Sequence, residues 1–219
     1  MQCYFQRCKE EGRTKEHVPP KAFFPNDQRE QLITVRSCKK HNTDKSGDDL
    51  YALAQICLNS SPRNRAGEIF LKRIVPQLGF NEDTFRRLLM RDSQSLQDGA
   101  VKYRVDIGRL DRFFDSLSCG LVSHVTKDTL PEHYLMRHIF HNLIDDSQTE
   151  EEKQLIAATE QFYDSETPAI LHFGKAALKN DDIYTVRLFG ISDFRSSITL
   201  VHLFFGHFKV TSLLTKTWP

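Results

Sequence analysis

Long apolar segments are missing from this chain. No run within its 219 residues approaches the roughly 18 apolar residues that a membrane-spanning helix needs. The first fifteen residues, MQCYFQRCKEEGRTK, lack the apolar stretch of a secretory signal. Internal repeats and low-complexity tracts are also missing. We therefore expect a cytoplasmic protein that does not enter a membrane.

Strong net charge is missing as well, because 30 basic side chains face 29 acidic ones and the formal charge is +1. The charges are unevenly distributed. Residues 1–45 contain ten Lys or Arg and six Asp or Glu, whereas residues 145–166 contain eight acidic residues and one lysine. A basic N-terminal segment is compatible with a polyanion-binding face, although such runs are more often solvated surface.

Cysteine is scarce, and its number, five, is odd. In a reducing compartment this composition argues against a disulfide framework. Cys57 and Cys119 stand in the apolar stretches ALAQICL and DSLSCGLV, which predicts buried packing residues. The other three cysteines fall within the first 38 residues, a region with little apolar periodicity.

These three cysteines have the spacing of a metal site. Cys3 and Cys8 form one pair, and Cys38 and His41 form a second pair with two residues between them. Three thiolates and one imidazole make the tetrahedral ligand set of a closed structural zinc site, which can replace a core that is too small. The alternative is that Cys3 is an ordinary N-terminal residue and Cys8 a half-buried thiol.

An acid and a histidine stand together in EHVPPKAFF, residues 16–24. Hydrolysis of a phosphodiester needs a base to deprotonate water and a hard cation to stabilise negative charge. His17 is the natural base, because its reference pKa lies near neutrality. The oxygens of Glu16 and Asn42 suit Mg²⁺ or Mn²⁺ better than zinc. A lone Glu-His pair is otherwise most simply part of a solvated surface.

The combined pattern resembles the HNH endonucleases, the ββα-metal nuclease superfamily, in the subtype stapled by zinc. The resemblance covers about residues 1–55 and consists of Cys-x4-Cys, Glu-His-Val-Pro-Pro-Lys-x-Phe-Phe and Leu-Ile-Thr-Val-x-Ser-Cys-x-x-His-Asn. It implies that His17 is the general base and that Glu16 and Asn42 bind the catalytic Mg²⁺ or Mn²⁺. It implies a structural zinc site made of Cys3, Cys8, Cys38 and His41.

The sequence departs from the family pattern in three places. The spacing of the first cysteine pair, Cys3 and Cys8, is longer than usual. His41 stands where the family usually has a fourth cysteine, which zinc tolerates. The asparagine that commonly braces the base histidine is missing, so Thr34 or a backbone carbonyl would take that role.

We therefore predict a metal-dependent endonuclease that hydrolyses DNA, with RNA as a possible substrate. By resemblance it would belong to a restriction or phage-defence system, with a protein partner or a second copy of the chain as possible partners. Phosphate contacts are predicted for Lys21, Lys39, Lys40 and Lys45, although each is as simply explained by solvation. The alternative is a non-catalytic, zinc-stapled module that binds nucleic acid or another protein.

The predicted fold class is α+β. An N-terminal zinc-stapled ββα-metal module occupies residues 1–60, and a mainly helical domain of unassigned role, residues 61–219, ends in a small antiparallel sheet. Asp48 and Asp49 are interpreted as residues that begin a helix. A helix is also predicted for PEHYLMRHIFHNLI, with Pro131 at its first position, which would make His138 and His141 neighbours.

Overall fold

The computed structural model describes residues 1–60, 65–80, 82–144, 148–166, 169–171, 180–190, 194 and 196–217. They form an α+β fold, which confirms the predicted class. The strands are β1 (Thr14–His17), β2 (Thr34–Ser37), β3 (Gln94–Ser95), β4 (Val101–Lys102), β5 (Tyr134–Phe140), β6 (Ala169–Leu171), β7 (Tyr184–Phe189), β8 (Ile198–Phe204) and β9 (Phe208–Lys216). The α-helices are α1 (Lys39–Asn42), α2 (Ser46–Leu58), α3 (Arg65–Ile69), α4 (Val75–Leu78), α5 (Thr84–Leu89), α6 (Ile107–Thr126) and α7 (Glu150–Ser165). None of the helices in this part of the chain has the length and hydrophobicity needed to traverse a lipid bilayer.

The N-terminal segment runs strand, strand, helix. β1 and β2 pair antiparallel, so that His17 lies opposite Thr34. Cys38 directly follows β2 and stands at the start of α1, after which α2 begins at Ser46. Asp49 lies in the first turn of α2, where the positive end of the helix dipole favours carboxylates.

The long helix α6 is amphipathic and capped at both ends. The side chain of Asp106 accepts a hydrogen bond from the backbone N–H of Arg109, and Lys127 ends the helix in the left-handed conformation. The apolar stripe of α6 includes Leu110, Phe114 and other fully buried residues. This helix is therefore the central element of the core.

The C-terminal part contains a five-stranded antiparallel sheet in the order β5-β9-β8-β7-β6. β7, β8 and β9 confirm the strands predicted near the C-terminus. β5 is the edge strand that pairs with β9, and it comes from the segment that begins at Pro131.

The predicted helix at Pro131 is therefore wrong. Side chains of β5 alternate, and the ring of Phe114 in α6 lies 5.8 Å from that of His138 and 5.6 Å from that of Phe140. Tyr, Ile and Phe favour a pleated, half-buried surface. The backbone partners offered by β9 and the packing against α6 outweigh the local helical spacing.

One hydrophobic core contains residues from both sides of the predicted domain boundary. The ring of Phe23 lies 5.6 Å from that of Phe113 in α6 and 5.1 Å from that of Phe204 in β8. The N-terminal segment and the sheet thus share aromatic contacts through α6. The boundary after residue 60 adjoins residues 61–64, which lie outside the described residues, and it stays a prediction.

Candidate metal centre and active site

Four side chains of the N-terminal segment converge. The ligand atoms of Cys3, Cys8, Cys38 and His41 all lie within 4.8 Å of one another. Cys8 Sγ and Cys38 Sγ are 3.9 Å apart, and His41 Nδ1 lies 3.3 Å from Cys38 Sγ and 3.5 Å from Cys3 Sγ. Tetrahedral zinc, with bonds of about 2.3 Å to sulfur and about 2.0 Å to nitrogen, would place two sulfurs about 3.8 Å apart and sulfur and nitrogen about 3.5 Å apart. The donor set and its spacing therefore fit a structural metal ion.

Neighbouring groups fix the orientation of these ligands. The backbone N–H of Cys38 donates to Cys3 Sγ at 3.4 Å. The ring of Phe5 stacks on the imidazole of His41, with centroids 4.1 Å apart and planes 8° apart. The hydroxyl of Tyr4 donates to the backbone carbonyl of His41 at 3.3 Å. Such outer contacts hold metal ligands in place and are part of a metal site.

The electrostatics of the group favour a bound cation. Burial, together with the neighbouring thiols, raises the pKa of Cys8 to about 11. Burial acts in the same direction on Cys38, but the backbone N–H of His41 and the neighbouring thiols outweigh it and lower the pKa of Cys38. Three thiolates this close repel one another unless a cation lies between them.

Glu16 and Lys45 form a largely buried ion pair beside this group. Lys45 Nζ lies 2.9 Å from Glu16 Oε1 and 2.5 Å from Asp49 Oδ2. Burial raises the pKa of both carboxyl groups, and the positive charge of Lys45 opposes that shift. Sequence reasoning assigned Lys45 to phosphate and Asp49 to the start of a helix, and it missed this contact.

His17 is half-buried at the end of β1. Burial lowers its pKa, and the positive charges of Lys21 and Arg29 act in the same direction. This shift favours the neutral imidazole, the form that can accept a proton. Thr34 lies opposite His17 on β2, but none of the hydrogen bonds recorded in the described residues involves this imidazole. The bracing of His17 by Thr34 stays a prediction.

Asn42 lies against the same strand. Its amide nitrogen donates to Thr14 Oγ1 at 2.8 Å and to the carbonyl of Lys15 at 3.3 Å. These two bonds orient the amide through its nitrogen, and its carbonyl oxygen stays an acceptor. No hydrogen bond among the described residues joins Asn42 directly to Glu16 or His17.

The comparisons with known proteins add no family to this geometry. No protein-family model, curated protein or solved structure matches the chain. The case for a function therefore rests on the residues of the site.

The predicted phosphate-binding lysines divide into two groups. Lys21, Lys39 and Lys40 are exposed to solvent. Lys45 is not, since its side chain is only 13% exposed and its ammonium contacts two carboxylates. The structure therefore gives no support to a phosphate contact by Lys45.

A second polar cluster, in the C-terminal part, was not foreseen. His138 Nε2 lies 3.0 Å from a carboxylate oxygen of Asp115, and its Nδ1 lies 2.8 Å from Ser212 Oγ. Ser212 Oγ lies 2.9 Å from His202 Nε2, and His202 Nδ1 lies 2.8 Å from the hydroxyl of Tyr184. Asp115 and His138 line a cleft of about 1110 Å³. The spacing of the histidines in the sequence could not predict this hydrogen-bonded cluster, because its members come from four different strands and a helix.

His138 and His141 do not share a ligand group. His141 Nδ1 lies 3.2 Å from a carboxylate oxygen of Glu160, and its Nε2 lies 2.9 Å from Thr211 Oγ1. Within the described ranges, the cysteine and histidine group near the N-terminus is the one set of three or more such side chains close enough to share a metal ion.

Proposed function

We propose that the chain is a metal-dependent endonuclease of the HNH type that hydrolyses phosphodiester bonds of DNA. One observation carries the proposal. Glu16 and His17 lie on a strand that is held against the Cys3, Cys8, Cys38 and His41 group, and Asn42 directly follows His41 and bonds to that strand. The proposal is supported because the proposed base and one oxygen donor lie on one hairpin strand, and the second oxygen donor bonds to the same strand.

In this proposal the cysteine and histidine group holds a zinc ion with a structural role. Three sulfurs and one nitrogen fill a tetrahedron and leave no position for water, which is the arrangement of structural rather than catalytic zinc sites. Zinc would fix the N-terminal loop of Cys3 and Cys8 to the start of α1. The strand that carries His17 is thereby held in position.

His17 is the proposed general base. Its neutral imidazole accepts the proton of the attacking water, which is oriented towards the phosphate. Glu16 and Asn42 are the proposed oxygen ligands of Mg²⁺ or Mn²⁺, hard cations that prefer such donors. A bound divalent cation supplies stabilisation of the negative charge that develops on the phosphate and the leaving oxygen. The exposed side chains of Lys21, Lys39 and Lys40 would hold neighbouring phosphates.

The test is a nicking assay on supercoiled plasmid with the zinc-loaded, full-length protein and added Mg²⁺ or Mn²⁺. We expect the wild type to convert plasmid to the nicked form and His17→Ala to reduce the rate by about 10²–10⁴, as the loss of a general base does. His207→Ala is the matched control, because His207 lies exposed in the turn between β8 and β9. An RNA of the same sequence, assayed in parallel, decides between the two nucleic acids.

A second candidate function is a zinc-stapled binding module without catalysis. The observation that favours it is the ion pair between Glu16 and Lys45, because a carboxylate bonded to an ammonium is not free for a metal ion. Intact plasmid after incubation with both wild type and His17→Ala, together with a gel shift of DNA by both, would support this candidate. The same result would contradict the proposal that the protein is an endonuclease.

A further inference from the structure

Two carboxylates and one ammonium are packed together between β1 and α2. The side chains of Glu16, Lys45 and Asp49 are 9%, 13% and 16% exposed. The ammonium lies within 2.9 Å of an oxygen of each acid. With both acids ionised, one positive charge faces two negative charges, so the cluster carries a net charge of −1 in a poorly solvated place.

One oxygen of this cluster has no partner. Asp49 Oδ1 is buried and forms no hydrogen bond within the described part of the chain. A buried acceptor without a partner is destabilising, and more so when the group is charged. Other acids of the region are satisfied: Asp48, the preceding residue, bonds to Arg109 and Arg112. A bound cation would give the unpaired oxygen a partner and would balance the excess negative charge of the ionised acids.

We propose that Asp49 is a ligand of the divalent cation and that Lys45 competes with this cation for Glu16 and Asp49. The inference rests on the proposed function, since it concerns the same cation. A doubly charged ion in place of the ammonium balances the two carboxylates. It also gives Asp49 Oδ1 a partner and suits the hard oxygen donors of both acids.

Lys45 has the properties of a removable competitor. It stands at the residue before α2, and its four-carbon stem can carry the ammonium to solvent without moving the backbone. Asp49 lies one helical turn further on, and the helix keeps it in place. Because the cation binds only when Lys45 has left, its apparent affinity is reduced by the fraction of molecules in which Lys45 is displaced.

The test measures binding of Mn²⁺ to the zinc-loaded, full-length protein, by the loss of the free Mn²⁺ signal in electron paramagnetic resonance. Lys45→Met removes the competitor and keeps the volume of its stem, so we expect affinity to rise on the order of tenfold or more. Asp49→Asn removes a ligand and leaves Glu16 paired with Lys45, so we expect affinity to fall below that of the wild type.

Two controls change the same charges outside the cluster. Lys15→Met and Asp44→Asn remove exposed charges close in sequence to Glu16 and Lys45, and neither is expected to shift Mn²⁺ affinity by more than about twofold, since exposed charges are screened. If Lys45→Met proves unstable without metal, its melting temperature should rise with added Mn²⁺ more than that of the wild type.

The inference is overturned if Lys45→Met binds Mn²⁺ no better than the wild type and gains no thermal stability from it. It is equally overturned if Asp49→Asn binds as well as the wild type. These outcomes are independent of cleavage. If the variants bind Mn²⁺ as expected but the wild type never nicks DNA, the inferred cation site stands and the proposed function fails. If nicking depends on His17 but Asp49→Asn binds Mn²⁺ as well as the wild type, the proposed function stands and the inferred role of Asp49 fails.

Discussion

At Gly120, α6 comes close to Val18, the residue that directly follows β1. A Cβ atom built on Gly120 would lie 2.7 Å from Val18 Cγ2 and 3.0 Å from Val18 Cγ1. Val18 cannot easily withdraw, since its backbone N–H donates to the carbonyl of Ile33 at 3.0 Å. The absence of a side chain at Gly120 therefore sets the distance between the helix and the strand that carries His17.

Gly120→Ala is expected to lower the free energy of unfolding by about 1–3 kcal/mol, the usual effect of overpacking a core. Gly108→Ala, in the same helix, is the control. Its Cβ would meet nothing closer than 3.5 Å, so the change should stabilise by roughly 0.5–1 kcal/mol through backbone entropy alone. Urea unfolding of both variants measures the difference. Equal stabilities would contradict the close contact.

At the same scale, the sequence could predict the cysteine and histidine group but not the ion pairs of Lys45. Cys38 and His41 have two residues between them at the start of a helix, so local geometry alone brings them together. Glu16, by contrast, meets Lys45 across 29 positions (45 − 16), and only the tertiary fold decides which acid the lysine contacts. The spacing of residues in the sequence therefore predicts contacts within one helical turn, but it says little about contacts between residues that are distant in the sequence.

At the scale of elements, the hydrogen-bonded chain from Asp115 to Tyr184 links α6 to four strands of the sheet. His202 lies at its centre, on β8, and is completely buried. Burial is the main cause that lowers its pKa well below the usual value. Ser212 and Tyr184 bond to the two ring nitrogens, so the neutral ring is satisfied in the folded sheet.

The stability of the sheet should therefore decrease in acid. The folded pKa of His202 is below the unfolded value of about 6.5, so its contribution is complete above that pH and is lost as the pH falls below it. This group alone should lower the free energy of unfolding by at most about 1.4 kcal/mol per pH unit.

Unfolding by urea at pH 7.5 and 5.5 measures the change, with His202→Gln as the comparison. The amide of glutamine forms hydrogen bonds but does not titrate. The wild type should lose more stability than His202→Gln between the two pH values, by about 1 kcal/mol or more. An identical loss in both proteins would contradict a neutral, buried His202.

β5 shows why one element was predicted wrongly. Its residues fit a helical spacing as well as a strand, so a single sequence does not distinguish the two. β7, β8 and β9 carry dense β-branched and aromatic residues and were predicted correctly. This segment forms a strand because of contacts with residues distant in the sequence. His138 pairs with Ser212 on β9, and Phe140 packs on Phe114.

At the scale of the whole molecule, the hairpin that carries the cysteine and histidine group also contributes to the aromatic core. Phe23, between β1 and β2, packs on Phe113 and Phe204, so the hairpin stapled by the cysteine group also covers α6 and the sheet. A metal ion that stabilises the hairpin therefore stabilises surfaces on both sides of residue 60. Loss of the metal ion should be felt beyond the first 60 residues.

We expect purified protein to hold about one zinc ion per chain, since four protein ligands close the site. Cys38→Ser should lose this zinc and lower the melting temperature of the whole chain in a single cooperative transition. Cys57→Ser is the control, because Cys57 is a buried cysteine of α2 outside the metal group. Metal analysis and calorimetry check both variants. Unchanged zinc in Cys38→Ser would contradict the ligand set, whereas lost zinc with an unchanged transition of the remaining chain would contradict the coupling.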